Sequence, residues 1–285
     1  MEASKKEPLV ITDKEQMRKW SRAMRSQGKS ISLVPTMGYL HQGHISLVRE
    51  ALKLTNLTVV SIYVNPGQFA PSEDLSTYPS DFHGDISKLM SVPGGVDVVF
   101  HPPNLYDYEN HMKRNKNDQG VCKNLEGKGE VVSCLEEGVA TVVTKLFNIV
   151  EPDVAVFGKK DYQQWRIIQR MVRDLDFSIR IIGAEILRDN DGLAMSSRNV
   201  HLSAEERGKA LSISRSLLGV KSAAENGHIN CRELRDSVIQ AVSEAGGRID
   251  YAEIVDQESL QAVEEINSPC GVLHCCLVWE GQADR

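Results

Sequence analysis

The chain has 285 residues, 41% of them hydrophobic and 25% charged, which is ordinary globular usage and enough for one large domain or two modest ones. Lys plus Arg number 33 against 39 for Asp plus Glu, a formal charge of −6 that argues against a nucleic-acid partner. No apolar run approaches the roughly 18–20 residues that span a bilayer, and the opening MEASKKEPLV lacks an apolar leader core, so a soluble, unprocessed, cytoplasmic protein without a membrane contact is expected.

In chain order, Thr12 and Glu15 stand at capping-box spacing, Met17, Trp20 and Met24 recur at helical spacing, and Gly28 closes the segment, which predicts an opening helix. Residues 30–34 form a short apolar strand running into Pro35, and a helical pattern follows through Ile45, Leu47, Val48, Ala51 and Leu52. The run 57–64 is β-branched without alternation, the mark of a strand buried on both faces of a parallel sheet. Strands at 96–100, 154–157 and 179–186 then alternate with helices at 139–150 and 162–175. That alternation predicts a doubly wound α/β domain. Beyond Asn199 the texture changes: Ser203 and Glu206 make a second capping box, and helices at about 204–224 and 231–245 with strands at 251–255 and 272–279 predict a smaller α+β unit. The boundary falls near Asp191 and Gly192, giving domains 1–190 and 191–285. Residues 106–137 are polar and aperiodic and read as a long mobile loop, with Lys113, Arg114 and Lys116 as solvated charge. The six cysteines are thinly spread and expected to be reduced, with Cys275 and Cys276 packing in a core.

The sharpest chemical signal is Pro35-Thr36-Met37-Gly38-Tyr39-Leu40-His41-Gln42-Gly43-His44, between the first strand and its helix. In an open α/β sheet ligands gather at the carboxyl ends of strands, and helix-start amides hold anions. Two imidazoles three residues apart, with a glycine between, can donate Nε–H to phosphate oxygens while the backbone approaches closely. The chemistry suggested is charge stabilisation at a nucleotide α-phosphate rather than general-base work. Zinc is the alternative for this pair, but no nearby Cys or Asp has a convincing ligand spacing.

Further on, Gly192-Leu193-Ala194-Met195-Ser196-Ser197-Arg198 offers two hydroxyls and a guanidinium as a phosphate clamp beside a glycine that permits movement, though taken alone it also suits helix capping. Phe157-Gly158-Lys159-Lys160-Asp161-Tyr162-Gln163-Gln164 opens another helix at a strand end, with lysine charge for phosphates and aspartate for ribose hydroxyls. Its plainer reading is a charged helix start with Asp161 near the dipole. Asn65-Pro66-Gly67-Gln68-Phe69 is either a cradle for a small polar acid or a plain turn.

The HxGH and MSSR segments together resemble nucleotidylyl transferases built like class I aminoacyl-tRNA synthetases. PTMGYLHQGH, VNPGQF, GVATVVTKLFNIV, FGKKDYQQ and DGLAMSSRN stand in the order and spacing of the pantothenate synthetase family, over most of residues 31–203, and the wording looks like its plant branch. The resemblance implies a Rossmann-like nucleotidyltransferase domain with a small C-terminal lid domain, a homodimer, and ATP-dependent joining of pantoate and β-alanine through a pantoyl adenylate. It further implies that Met37 through His44 hold ATP, with His41 and His44 stabilising the transferring phosphoryl group. Gly158, Lys159, Lys160 and Asp161 would contact ribose and phosphates, Met195 to Arg198 would close over the triphosphate, and Leu187 would meet adenine through its backbone. Asn65, Gln68 and Gln164 would hold pantoate, with Val139, Val142 and Val143 as an apolar wall for its methyl groups. Mg²⁺ would accompany the nucleotide, and the sequence names no metal ligand of its own.

The chain departs from the family pattern in three places. Ser133 to Glu137 abuts Gly138 and Val139 where a longer stretch ending in an R-P-x-x-F-x-G-V-like run is usual, Gly67 replaces a leucine in NPxQF, and the end stops short of a final apolar strand motif. An impaired shortened form that binds ATP or pairs with full-length subunits, and a nucleotidylyl transferase with another acceptor, are therefore the alternative readings.

Overall fold

The computed structural model describes residues 7–69, 75–106, 134–267 and 272–278, so residues 107–133 of the expected mobile loop, with its basic cluster, lie outside the described residues. The chain divides into two compact units, with the division between Ile186 and Leu187.

The first unit is built on six parallel strands in the order β1-β4-β3-β2-β5-β6. They are β1 (Leu9–Ile11), β2 (Ile31–Thr36), β3 (Leu57–Ile62), β4 (Val98–Phe100), β5 (Val154–Gly158) and β6 (Arg180–Ala184). Between them run α1 (Lys14–Ser26), α2 (Gln42–Ala51), α3 (Phe82–Met90), α4 (Cys134–Val150) and α5 (Tyr162–Asp174). Successive strand residues point to opposite faces. Leu33 and Val59 therefore enter one core with Met17 of α1, Phe147 of α4 and Ile168 of α5, while Val34 and Val60 enter another with Val48 of α2 and Leu89 of α3. Both faces of the sheet are covered, as the unbroken β-branched run at 57–64 predicts.

Two local expectations are corrected, and one helix is added. The first helix is capped by Asp13, whose carboxylate accepts from the Gln16 N–H at 2.7 Å, because Thr12 directly follows the edge strand β1 that the sequence pattern did not reveal. Helix α4 begins at Cys134, inside the stretch read as loop. Helix α3 was also unread; it starts at Asp81, whose carboxylate accepts from the Gly84 N–H at 2.9 Å.

The second unit holds α6 (Ala204–Glu225) and α7 (Cys231–Glu244) with the antiparallel pair β7 (Arg248–Val255) and β8 (Val272–Val278). Ser203 and Glu206 form the expected capping box, with bonds of 3.2 and 2.7 Å. Val220, Leu234, Val238, Val242 and Ile254 make its core, together with the buried Cys231. The side chains of Cys275 and Cys276 lie outside the described residues. Among the described residues no helix is long and apolar enough to cross a membrane.

Candidate active site

The strand order reverses at β2, which pairs with β3 on one side and β5 on the other. The crevice beyond the carboxyl ends of such strands is where open α/β sheets take ligands. PTMGYLHQGH leaves β2 there, NPGQF leaves β3 and FGKKD leaves β5. Three of the four segments singled out in the sequence thus converge on one edge of one sheet.

The β2 loop is held by main-chain geometry. Gly38 and Tyr39 both take left-handed conformations, with φ of 85° and 49°. For tyrosine this costs about 1–2 kcal/mol, so something must stabilise it. Thr36 Oγ1 donates to the Ser61 carbonyl at 2.7 Å and accepts from Gly38 N–H at 3.3 Å. Asp85, in the first turn of α3 and only 1% exposed, accepts from the Tyr39 N–H at 2.8 Å and the Leu40 N–H at 2.6 Å. Burial raises the Asp85 pKa, and those two N–H groups with Lys88 oppose the rise. Sequence reasoning missed Asp85 and Lys88; the signal available was an aspartate just inside a capped helix start.

The two imidazole rings lie against each other, tilted by 39°, with centroids 4.0 Å apart. His41 caps α2, its Nδ1 accepting from the Gly43 N–H at 3.1 Å, and His44 Nδ1 accepts from the His41 N–H at 3.3 Å. With both Nδ1 atoms accepting, each neutral ring carries its proton on Nε2. Burial, then His41, Lys160 and Lys88, pushes the His44 pKa down to about 3. His44 is therefore a neutral donor across the physiological range, suited to stabilising negative charge and poorly suited to carrying positive charge itself.

At the end of β5, Lys159 ion-pairs with Glu185 and lies 5.6 Å over the Trp165 ring, so its charge is engaged on the β6 side. Lys160, with Lys88, is a lysine whose charge acts on His44, and its Nζ lies 4.0 Å from Asp161. Asp161 occupies the cap position of α5 without a side-chain capping bond, which leaves its carboxylate exposed beside the loop. Asp161 thus stands at the helix start near its dipole, as the plainer reading has it, with its carboxylate oxygens not used in a capping bond. Gln164 sits, partly exposed, in the first turn of the same helix.

At the end of β3, Asn65 is 1% exposed and ties three segments together. Its Nδ2 donates to Gln68 Oε1 at 3.2 Å and to the Gly138 carbonyl at 3.1 Å, while its Oδ1 accepts from the Tyr106 hydroxyl at 2.8 Å. Gly67 and Gly138 touch backbone to backbone, with the site of a Cβ on Gly138 only 1.9 Å from the Gly67 oxygen. Val139, Val142 and Val143 follow in α4 and are all buried in the core.

In the second unit, Leu187 to Met195 is a tight hairpin. The Leu187 carbonyl accepts from the Met195 N–H at 3.0 Å, so one of its two backbone groups is already engaged. Gly192, with φ of 95°, completes the hairpin turn. Ser196 caps the short 3₁₀ helix Ser197–His201 by accepting from Arg198 N–H at 3.3 Å, and Ser197 is buried. Among the described residues no three His, Cys, Asp or Glu side chains gather as a metal site.

Residues 9–283 match the family model described as pantoate–β-alanine ligase. The chain is 60% identical to pantoate–β-alanine ligase of Lotus japonicus, with 97% of this chain and 96% of that one covered, and 60% identical to the protein of that name from Arabidopsis thaliana, covering 96% and 95%. The Lotus alignment spans 305 positions, yet 97% of 285 is about 276 residues, so it includes about 29 positions that this chain lacks. A crystal structure of pantothenate synthetase from Thermus thermophilus superimposes with a TM-score of 0.80 at 35% identity, with 95% of each chain covered. The pantoate–β-alanine ligase from Francisella tularensis, complexed with β-γ ATP and β-alanine, gives 0.68 at 29% identity, covering 95% of this chain and 97% of that one. With the family model matched over residues 9–283 and 60% identity to a plant relative over nearly its whole length, the chain belongs to the pantoate–β-alanine ligase family.

Proposed function

We propose that this chain makes pantothenate in two steps on the first unit's crevice, with ATP, pantoate and β-alanine as substrates. A pantoate carboxylate oxygen attacks the α-phosphorus of ATP, forming an acyl–phosphate bond as the bond to pyrophosphate breaks. The β-alanine amine then attacks the activated carbonyl, AMP leaves and the amine loses a proton. The observation that carries this reading is His44, kept neutral by burial, with the His41 ring 4.0 Å away and Lys160 acting on it. Two Nε2–H donors and one ammonium meet the charge that grows on a phosphoryl group in flight.

In this reading the segment from Met37 to Gly43 lines the nucleotide, its Gly38, Tyr39, Leu40 and Gly43 N–H groups being engaged in holding the loop's shape, and Gly158 and Asp161 meet its ribose. Gln68 and Gln164 orient pantoate. Mg²⁺ would come with the phosphates of ATP and offset their charge, since this ion keeps water and phosphate ligands in preference to a protein cage. The working form in this reading is a cytoplasmic homodimer, checked by size-exclusion chromatography.

The test is pantoate-dependent exchange of labelled pyrophosphate into ATP, with Mg²⁺ and without β-alanine. Exchange that requires pantoate is expected; exchange indifferent to pantoate would point to another acceptor. A second reading, an impaired short form, is favoured by the roughly 29 positions present in the plant relative and absent here. A folded chain that binds ATP but gives no exchange would support it.

A further inference from the structure

We propose that Asp85 is a positioning residue of the nucleotide site, its buried carboxylate fixing the Gly38–Leu40 turn that aims His41 and His44. The inference rests on the reading of that loop as the site of phosphoryl chemistry. Two successive left-handed residues turn the N–H groups of Tyr39 and Leu40 toward one point, a concavity that binds an anion. Asp85 fills it from another element, one oxygen on each N–H, across 46 residues of chain. Contact is close: a Cβ on Gly38 would lie 3.2 Å from Asp85 Oδ2 and 3.0 Å from Ile62 Cγ2, so the glycine, the strand β3 and the carboxylate leave the turn one place to sit.

The loop feeds directly into the cap of α2, so tilting the turn tilts both imidazoles. Lys88, one turn along α3, stands 3.9 Å from Asp85 and 5.6 Å from the Tyr39 ring centroid, bracing the same turn from the solvent side. The charged groups acting on Asp85 are Lys88, which favours the carboxylate, and Asp81, which opposes it; Lys88 also acts on His44, with His41 and Lys160.

Asp85→Asn keeps the shape but turns an NH₂ toward one of the two N–H groups. A displacement near 1 Å at the reacting groups costs on the order of 100-fold in rate, so kcat for pyrophosphate exchange should fall roughly 10- to 100-fold while the pantoate KM changes little. The wild-type rate should also fall toward acid pH as Asp85 protonates, and the variant should lack that limb. Amide exchange read by mass spectrometry should be at least about tenfold faster in a peptide covering residues 37–44, with peptides from β2 and β3 unchanged.

A variant with wild-type kcat and an unchanged 37–44 peptide overturns the proposal. So does exchange that quickens uniformly through the sheet, which would make Asp85 a stability residue only. Should the wild type show no pantoate-dependent exchange, the ligase reading fails while the amide measurement still decides the role of Asp85. Should Asp85→Asn not fold, Lys88→Met decides: losing that cation moves acid-induced loosening of the 37–44 peptide to higher pH, and an unmoved profile refutes the proposal.

Discussion

Gly138→Ala isolates the contact on which the β3 end of the site depends. The new Cβ would stand 1.9 Å from the Gly67 oxygen, 2.4 Å from its carbonyl carbon and 3.1 Å from Gln68 N, all backbone atoms with no rotamer to yield. Real Cβ contacts essentially never fall under 3.0 Å, so α4 and the Gln68 turn must separate by about 1.1 Å. The separation pulls on the Asn65 bond to the Gly138 carbonyl and on the Asn65 bond to Gln68. Overpacking of this kind costs roughly 1–3 kcal/mol, and at about 2–4 °C per kcal/mol the melting temperature should drop by roughly 2–12 °C. A shift of Gln68 by about 1 Å should lower pantoate-dependent exchange on the order of 100-fold. Gly208→Ala, in α6 with no atom within 4 Å, is the control and should raise stability by roughly 0.5–1 kcal/mol with the rate unchanged. Differential scanning fluorimetry and the exchange assay read both. A Gly138→Ala protein matching the control in both would refute the packing argument.

Three other outcomes are expected. His44→Ala and Lys160→Ala should each lower exchange by roughly 10²–10³-fold, as removal of a donor to developing charge does, and unchanged rates would remove them from the mechanism. The His44 pKa of about 3 lies below its unfolded value of 6.5, so the unfolded chain takes up the proton first and stability falls as pH drops from 6.5 toward 3. His44→Gln should therefore lose less stability than wild type between pH 7 and pH 4.5 in urea titrations; equal losses would contradict the shift. Finally, Asn65→Ala leaves the Tyr106 hydroxyl and the Gly138 carbonyl without that partner and should destabilise by roughly 1–3 kcal/mol, with Tyr106→Phe milder, both read by denaturant midpoint.

What the sequence disclosed was whatever is local. The β-branched run at 57–64 announced a doubly covered strand, Ser203 and Glu206 announced a helix start, and the loop after β2 announced itself by two histidines around a glycine. What it hid depends on meetings across the chain. Asp85 reads as an unremarkable helix residue until the fold sets it against Tyr39, and the Gly67–Gly138 contact joins positions with no shared pattern. Thr12 looked like a cap because spacing alone does not show that a strand ends at Ile11 and Asp13 turns the corner. The valines of α4 show the same limit, since an apolar face at helical spacing serves core and pocket wall alike, and here 139, 142 and 143 are all buried.

The pairing of β5 with β2 has a kinetic consequence. It joins segments 122 residues apart, as in the Ile31 N–H bond to Asp153, whereas β2 and β3 meet across about 26. Long-range closures come late because their entropy must be overcome before any contact rewards them. The two loops that carry His44 and Lys160 are brought side by side only by that closure. Refolding should therefore pass through a stage with secondary structure but no nucleotide affinity, and ATP binding should appear only with the last step.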